Sequence, residues 1–99
     1  MSTHPRPVVL ITGGAKRVGA AIARLLHAEG YDLAIHYRSS ALAAELLKRE
    51  LEAIRPDSVL LWQGELGALD TLPQLVEVVL ARYGRLDGLV NNASGFYPT

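Results

Sequence analysis

The feature that most constrains the fold is a short apolar run that ends in glycines. Val8-Val9-Leu10-Ile11-Thr12 is β-branched and continuous, with Pro7 before it and Gly13-Gly14 after it. A strand that does not alternate polar with apolar residues is buried on both faces, as inside a parallel sheet layered by helices. The chain continues Ala15-Lys16-Arg17-Val18-Gly19, and Val18, Ile22, Leu25 and Leu26 recur at helical spacing up to Gly30, a residue suited to the left-handed position after a helix. A buried strand, a glycine turn and a helix start together bring backbone close to a phosphate. They also aim free N–H groups and the positive end of the helix dipole at it. A plain strand-to-helix turn is the competing reading, and the order of the later elements weighs against it.

That order repeats. Leu33-Ala34-Ile35 is a second apolar run, ending in His36-Tyr37-Arg38. Ser40 can cap a second helix with Leu42, Leu46, Leu47, Leu51 and Ile54 on one stripe, broken by Pro56-Asp57. Val59 to Trp62 reads as a third strand. Asp70 or Thr71 caps a third helix bearing Leu72, Leu75, Val76, Val79 and Leu80 and ending near Gly84. Leu86 to Val90 is a fourth strand, leading to Asn91-Asn92-Ala93-Ser94. Strands alternating with helices imply right-handed crossovers and a parallel sheet. The expected fold is α/β, the N-terminal half of a doubly wound (Rossmann) sheet with strand order 3-2-1-4. In that order the fourth strand is an edge, yet Leu89 and Val90 are apolar, and an uncovered apolar edge is an aggregation hazard. The sheet is therefore expected to be incomplete. Residues 1–99 are expected to form a dinucleotide-binding half-domain that continues beyond residue 99, the remainder of the same protein pairing at this edge.

Composition narrows the partners. The chain is 49% hydrophobic and 20% charged, a globular balance, and ten Lys plus Arg offset ten Asp plus Glu. A neutral chain has no electrostatic footprint for nucleic acid or an anionic membrane. The absence of cysteine excludes disulfides, thiol catalysis and cysteine-based zinc sites. The first apolar run is too short for a signal peptide, and no run approaches the roughly 18 apolar residues of a membrane span. A cytoplasmic protein is expected. His4 and His27 read as a tail residue and a helix-surface residue, the carboxylates of the second and third helices read as solvated, and no metal site is expected.

Two motifs carry a family resemblance. Thr12-Gly13 with Arg17-Val18-Gly19, and Asn91-Asn92-Ala93-Ser94, resemble the Thr-Gly-x-x-x-Gly-x-Gly and Asn-Asn-Ala-Gly motifs of the short-chain dehydrogenases/reductases. Each stands at the expected end of its strand, and the resemblance covers nearly the whole chain. Arg17 departs from the middle glycine of the first motif and Ser94 from the last glycine of the second. Both departures, with Gly95-Phe96-Tyr97-Pro98-Thr99 and His36-Tyr37-Arg38-Ser39, are similar to the pteridine reductase branch.

In such a fold the end of the second strand meets the adenine ribose, where an acid suits NAD and positive charge suits NADP. Tyr37-Arg38-Ser39-Ser40 contains no carboxylate. Arg38 can pair with a 2′-phosphate, Ser39 can donate to it, and Lys16 and Arg17 add charge, so NADPH is the expected cofactor. A solvated surface arginine is the competing reading of Arg38. Gly13 and Gly14 allow the tight turn and the close approach of backbone to a pyrophosphate, and Gly19 lets the helix pack on the sheet. With the resemblance, Gly13, Lys16, Arg17, Val18 and Gly19, and His36, Tyr37, Arg38 and Ser39, are the expected cofactor contacts, Arg17 at the pyrophosphate. The resemblance also implies that Glu65-Leu66 supplies an acid to the adenine, although Glu65 could equally be a solvated loop residue. Asn91 would brace the sheet, and Asn92 and Ala93 would line the ribose with Ser94 beside them. Arg17, Ser94 and Phe96 are the implied substrate contacts, with Phe96 stacking on a pterin opposite the nicotinamide. Phe96 and Tyr97 could instead anchor a loop.

The implied function is NADPH-dependent reduction of a pteridine, a dihydropterin or folate-like molecule. A short-chain reductase for ketones or acyl thioesters and a non-catalytic nucleotide-binding fragment are the alternatives. The family's catalytic Tyr-x-x-x-Lys is expected beyond residue 99, because none of Tyr31, Tyr37 and Tyr83 has lysine four positions later. No catalytic residue is therefore named within the chain. The resemblance also implies a homo-oligomer, a tetramer.

Overall fold

The computed structural model of the chain describes residues 5–13, 15–64 and 71–92. Its elements are β1 (Val8–Thr12), α1 (Arg17–Ala28), β2 (Asp32–Tyr37), α2 (Ala41–Ile54), β3 (Val59–Gln63), α3 (Thr71–Tyr83) and β4 (Gly88–Asn91). The four strands form one sheet in the order β3-β2-β1-β4, and the three pairings are parallel. Val9 is in register with Leu33 and Gly88, and Ile11 with Ile35 and Val90. This is the expected half of a doubly wound sheet.

The two faces of the sheet explain the continuous apolar run of β1. Val9 and Ile11, with Leu33, Ile35 and Val59, pack against Ala20 and Ala23 of α1 and Leu47 and Leu51 of α2. Val8 and Leu10, with Ala34, face Leu75, Val79 and Tyr83 of α3 on the other side. Every residue of β1 is buried, so no position can be polar on an outer face. At β4 the burial is weaker, and Leu89 is 49% exposed.

The helices dock on faces that hydropathy alone does not pick out. α1 buries Gly19, Ala20, Ala23 and His27, whereas Val18 and Leu25 are exposed and Ile22 and Leu26 pack at the margin. Small residues let the helix axis approach β1 closely, which turns the larger side chains outward. In α2 the expected single stripe divides: Leu47 and Leu51 are buried with Ala44, while Leu42, Leu46 and Ile54 face outward. In α3 Leu75 and Val79 are buried and Leu80 is exposed, and Tyr83 extends the buried row by one more turn. The side chain of Leu72 lies outside the described residues, as does Asp70. Ser40 is the N-cap of α2 but makes no side-chain capping bond. Leu86 precedes β4 rather than opening it, because Asp87 closes the turn. The Asp87 N–H donates to the Val8 carbonyl and its Oδ2 accepts from the Val8 N–H, both at 2.8 Å.

His27 corrects another expectation. It is not on the surface but 1% exposed, with Nε2 2.8 Å from Ser58 Oγ. The Ser58 hydroxyl donates to the Arg55 carbonyl at 2.6 Å, so the imidazole donates to Ser58. Burial, reinforced by the Arg55 charge, holds His27 below the ordinary histidine range.

Candidate functional site

The C-terminal ends of all four strands are tied together by side chains that run from β4 to β3. The Thr12 hydroxyl donates to Asn91 Oδ1 at 3.0 Å and lies 3.4 Å from the Val90 carbonyl, which fastens β1 to β4. Asn92 Nδ2 donates to the Gly13 carbonyl at 2.9 Å. The Gly13 N–H donates to His36 Nδ1 at 3.1 Å, and His36 Nε2 donates to the Gly64 carbonyl at 2.8 Å. The Gly64 N–H returns a bond to the Tyr37 carbonyl at 3.0 Å, and Gln63 Nε2 donates to the Arg38 carbonyl at 3.2 Å. These ties fix the backbone on which the exposed Arg38 and Ser39 sit.

Gly13 is the centre of this belt. Its φ of 64° is left-handed, where a side chain would be strained, and both its backbone polar groups are engaged. Gly64 is enclosed differently: the Trp62 ring lies so close over it that a Cβ there would force the ring to shift.

Beyond Gly13 the chain enters α1 through exposed Lys16 and Arg17. Lys16 is the N-cap, in extended conformation, with no side-chain capping bond, and the first turn carries no acidic residue. The opening N–H groups of an α-helix have no partner within it, and the helix dipole adds positive potential there. Two cationic side chains and an uncapped helix start fit a phosphate, and no carboxylate of α1's first turn opposes one. Arg17 itself has φ 55°, a left-handed conformation in a residue with a long side chain.

The structure thus joins three of the sequence-derived candidates, Gly13, His36 and Asn92, by direct hydrogen bonds, and Tyr37 joins through its carbonyl. Lys16, Arg17, Val18 and Gly19 open α1, with Gly19 buried on the sheet, and Arg38 and Ser39 follow β2. Glu65, Leu66, Ala93, Ser94 and Phe96 lie outside the described residues. Asn91 braces the sheet through Thr12. Sequence reasoning missed Gln63 and Gly64, whose partners are the Arg38 and Tyr37 carbonyls and the His36 imidazole. A shallow concavity lined by Pro5, Arg6, Leu25, Glu29 and Tyr31 lies at the opposite end of the strands and shares no residue with the belt.

The family model for short chain dehydrogenase matches residues 7–98. Pteridine reductase 1 from Leishmania tarentolae is 42% identical over 117 aligned residues, covering 100% of this chain and 40% of that protein. A 3-oxoacyl-[acyl-carrier-protein] reductase from Staphylococcus aureus is 36% identical, covering 85% of this chain and 34% of that protein. A hydroxynaphthalene reductase from Aspergillus fumigatus is 35% identical, covering 87% of this chain and 31% of its own length. The chain spans 31% to 40% of the length of these relatives.

Proposed function

The chain belongs to the short-chain dehydrogenase family, and from that premise we propose that it is the cofactor-binding half of an NADPH-dependent reductase acting on a pteridine. The observation that carries the cofactor reading is the cationic rim at the C-terminal end of the sheet. An acid-free turn bearing Arg38 and Ser39 follows β2, beside a loop that enters an uncapped α1 through Lys16 and Arg17. A 2′-phosphate would pair with Arg38 and accept from Ser39. Because the Gly13 N–H is already given to His36, the pyrophosphate would be met by the N–H groups that open α1, those of Val18 and Gly19 among them. Asn92, Ala93 and Ser94 are proposed to line the ribose, Glu65 and Leu66 to serve the adenine, and Tyr37 to flank it. When bound, NADPH supplies hydride; the residues of this chain bind and orient it. No complete Tyr-x-x-x-Lys occurs in residues 1–99, so none of the residues proposed here is assigned a proton transfer.

The pteridine reading is supported by the relative named pteridine reductase 1, whose match spans the whole chain, and by Arg17, Ser94 and Phe96. Phe96 would stack on the flat heterocycle, and Arg17 and Ser94 would supply polar contacts. Reduction of an acyl thioester is the second reading, favoured by the 3-oxoacyl reductase relative. A homo-oligomer, a tetramer on the family resemblance, is proposed for the complete protein, in the cytoplasm.

The test is titration of NADPH and NADH into the complete protein. NADPH is expected to bind about tenfold or more tightly, and Arg38→Asp should reverse the order. Equal affinities in the unaltered protein would remove the cofactor assignment. Turnover of a dihydropterin should exceed that of a 3-oxoacyl thioester or a simple ketone; a thioester preference selects the second reading.

A further inference from the structure

We propose that His36 is a positioning residue for the cofactor site: its imidazole holds the glycine turn after β1 to the end of β3, so that the two segments move as one. The inference rests on the reading of that end of the sheet as the NADPH site. Its observations are independent of which substrate is reduced.

The geometry fixes the state of the ring. Gly13 N–H can only donate, so Nδ1, 3.1 Å away, carries no proton. The Gly64 carbonyl can only accept, so Nε2, 2.8 Å away, carries one. The imidazole is therefore neutral, in a single tautomer, and is 2% exposed. The Trp62 ring lies 6.0 Å from it, centroid to centroid, tilted by 33°, and also closes over Gly64. The segments that His36 joins are themselves anchored. The Gly13 carbonyl accepts from Asn92, and the Gly64 N–H donates to Tyr37. His36 thus spaces two fixed pieces of backbone. With Nδ1 and Nε2 both engaged by backbone, the ring acts on a cofactor through the positions of Gly13 and Gly64.

The two loops that the ring joins serve different parts of a dinucleotide under the proposed reading. The Gly13 turn leads into the pyrophosphate-facing start of α1, and Gly64 precedes Glu65 at the adenine. A spacer between them sets the distance between those parts. It should therefore govern cofactor affinity rather than the rate of the reaction once cofactor is bound.

The experiment uses the complete protein and three readouts: the NADPH dissociation constant, KM for NADPH against kcat, and the thermal midpoint. His36→Phe keeps a flat ring beside Trp62 and loses both hydrogen bonds. It is expected to weaken NADPH binding about tenfold and to raise KM similarly, with kcat at saturating cofactor within about twofold of the unaltered protein. His36→Asn retains an acceptor near the Nδ1 position but loses the bond to Gly64, so it breaks the same span and is expected to weaken NADPH binding about as much as His36→Phe. Should the phenylalanine variant fail to fold, His36→Gln, which keeps a donor toward Gly64 and loses the bond to Gly13, takes its place with the same expected loss relative to the unaltered protein. Unchanged NADPH affinity in His36→Phe overturns the proposal. So does a fall in kcat at saturating NADPH as large as the rise in KM, which marks a general structural role. An unaltered protein that binds neither NADPH nor NADH overturns the cofactor reading and the positioning role together. Tight NADPH binding with no effect of His36→Phe overturns the positioning role alone.

Discussion

At the N-terminal end of the sheet, the Arg55 guanidinium donates twice to Asp32 Oδ1, at 2.7 and 3.0 Å, and also to the carbonyls of Tyr31 and His27 at 2.6 and 3.3 Å. At the C-terminal end, the ties run through Thr12, His36, Asn91 and Asn92, none of which carries a charge. Helix α1 connects the two ends and shows what the difference means. Its last turn presents a carbonyl that Arg55 satisfies, so the negative end of the dipole is met by a cation of the protein itself. Its first turn has neither a side-chain cap nor an acid, and the cations beside it, Lys16 and Arg17, are exposed. One end of the helix is completed internally, and the other carries exposed cations with no side-chain cap. Charge at the N-terminal end is paired within the fold; at the C-terminal end Lys16, Arg17 and Arg38 are exposed.

The largest expected effect tests whether the two ends are separable. Asp32 is 3% exposed and pairs with Arg55, whose side chain keeps 20% exposure. Asp32→Ala leaves that guanidinium without its carboxylate and should cost about 3 kcal/mol of unfolding free energy, read from denaturant titration of the complete protein. NADPH affinity of the folded protein should not change. A parallel loss of cofactor binding would mean that the N-terminal network also sets the site.

A smaller effect sharpens the same contrast through pH. Tyr83 ends α3 near the N-terminal end of the strands, and its hydroxyl donates to the Leu33 carbonyl at 3.3 Å. Burial pushes the phenol up to about 12. The unfolded chain, with an ordinary phenol near 10, loses its proton first. Stability from this group is therefore fully present below about pH 10 and is lost as pH rises toward about 12, by roughly 2 kcal/mol. Tyr83→Phe should flatten that alkaline limb of the stability profile. An unchanged limb would assign it to other groups.

Some of this was legible in the residues and some was not, for physical reasons. The strand-turn-helix at Val8 to Gly19 and the strand order follow from patterning, because a doubly buried strand leaves no polar position. The docking faces of α1 and α2 did not follow. Hydropathy ranks residues by transfer from water, whereas close approach of a helix to a sheet selects small ones. Gly19, Ala20 and Ala23 therefore face β1, and Val18, Leu25, Leu42 and Leu46 stay outside. His27 was misread because a histidine on a helix shows nothing of a serine that reaches it from the turn before β3. At the site, Gly13, Arg17, His36, Arg38 and Asn92 were all marked by motif. The belt that joins three of them was invisible, since its partners are backbone groups carrying no sequence signature. Phe96 and Ser94, which carry the substrate expectation, lie outside the described residues.

The smallest effect separates the ends by backbone strain. Two non-glycine residues among those described have positive φ: Asp57 at 59°, in the turn before β3, and Arg17 at 55°, where α1 begins. The conformation is nearly the same, but the residues differ in how well they tolerate it. A short polar side chain such as aspartate visits the left-handed region readily, whereas a longer side chain there costs about 1–2 kcal/mol. Glycine relieves that cost but gives back roughly 0.5–1 kcal/mol in chain entropy. Arg17→Gly should therefore raise unfolding free energy by about 0.5 kcal/mol, while Asp57→Gly should be neutral or slightly destabilising. The reason to keep arginine at a strained position would then lie in binding. Removing its charge from an uncapped helix start should weaken NADPH binding by about 0.3–1 kcal/mol, with no such change for Asp57→Gly. Denaturant midpoints and NADPH titrations on both variants decide the matter. If Arg17→Gly lowers stability, or leaves cofactor affinity untouched, the strain at Arg17 is not maintained for the ligand and the asymmetry between the two ends does not extend to the backbone.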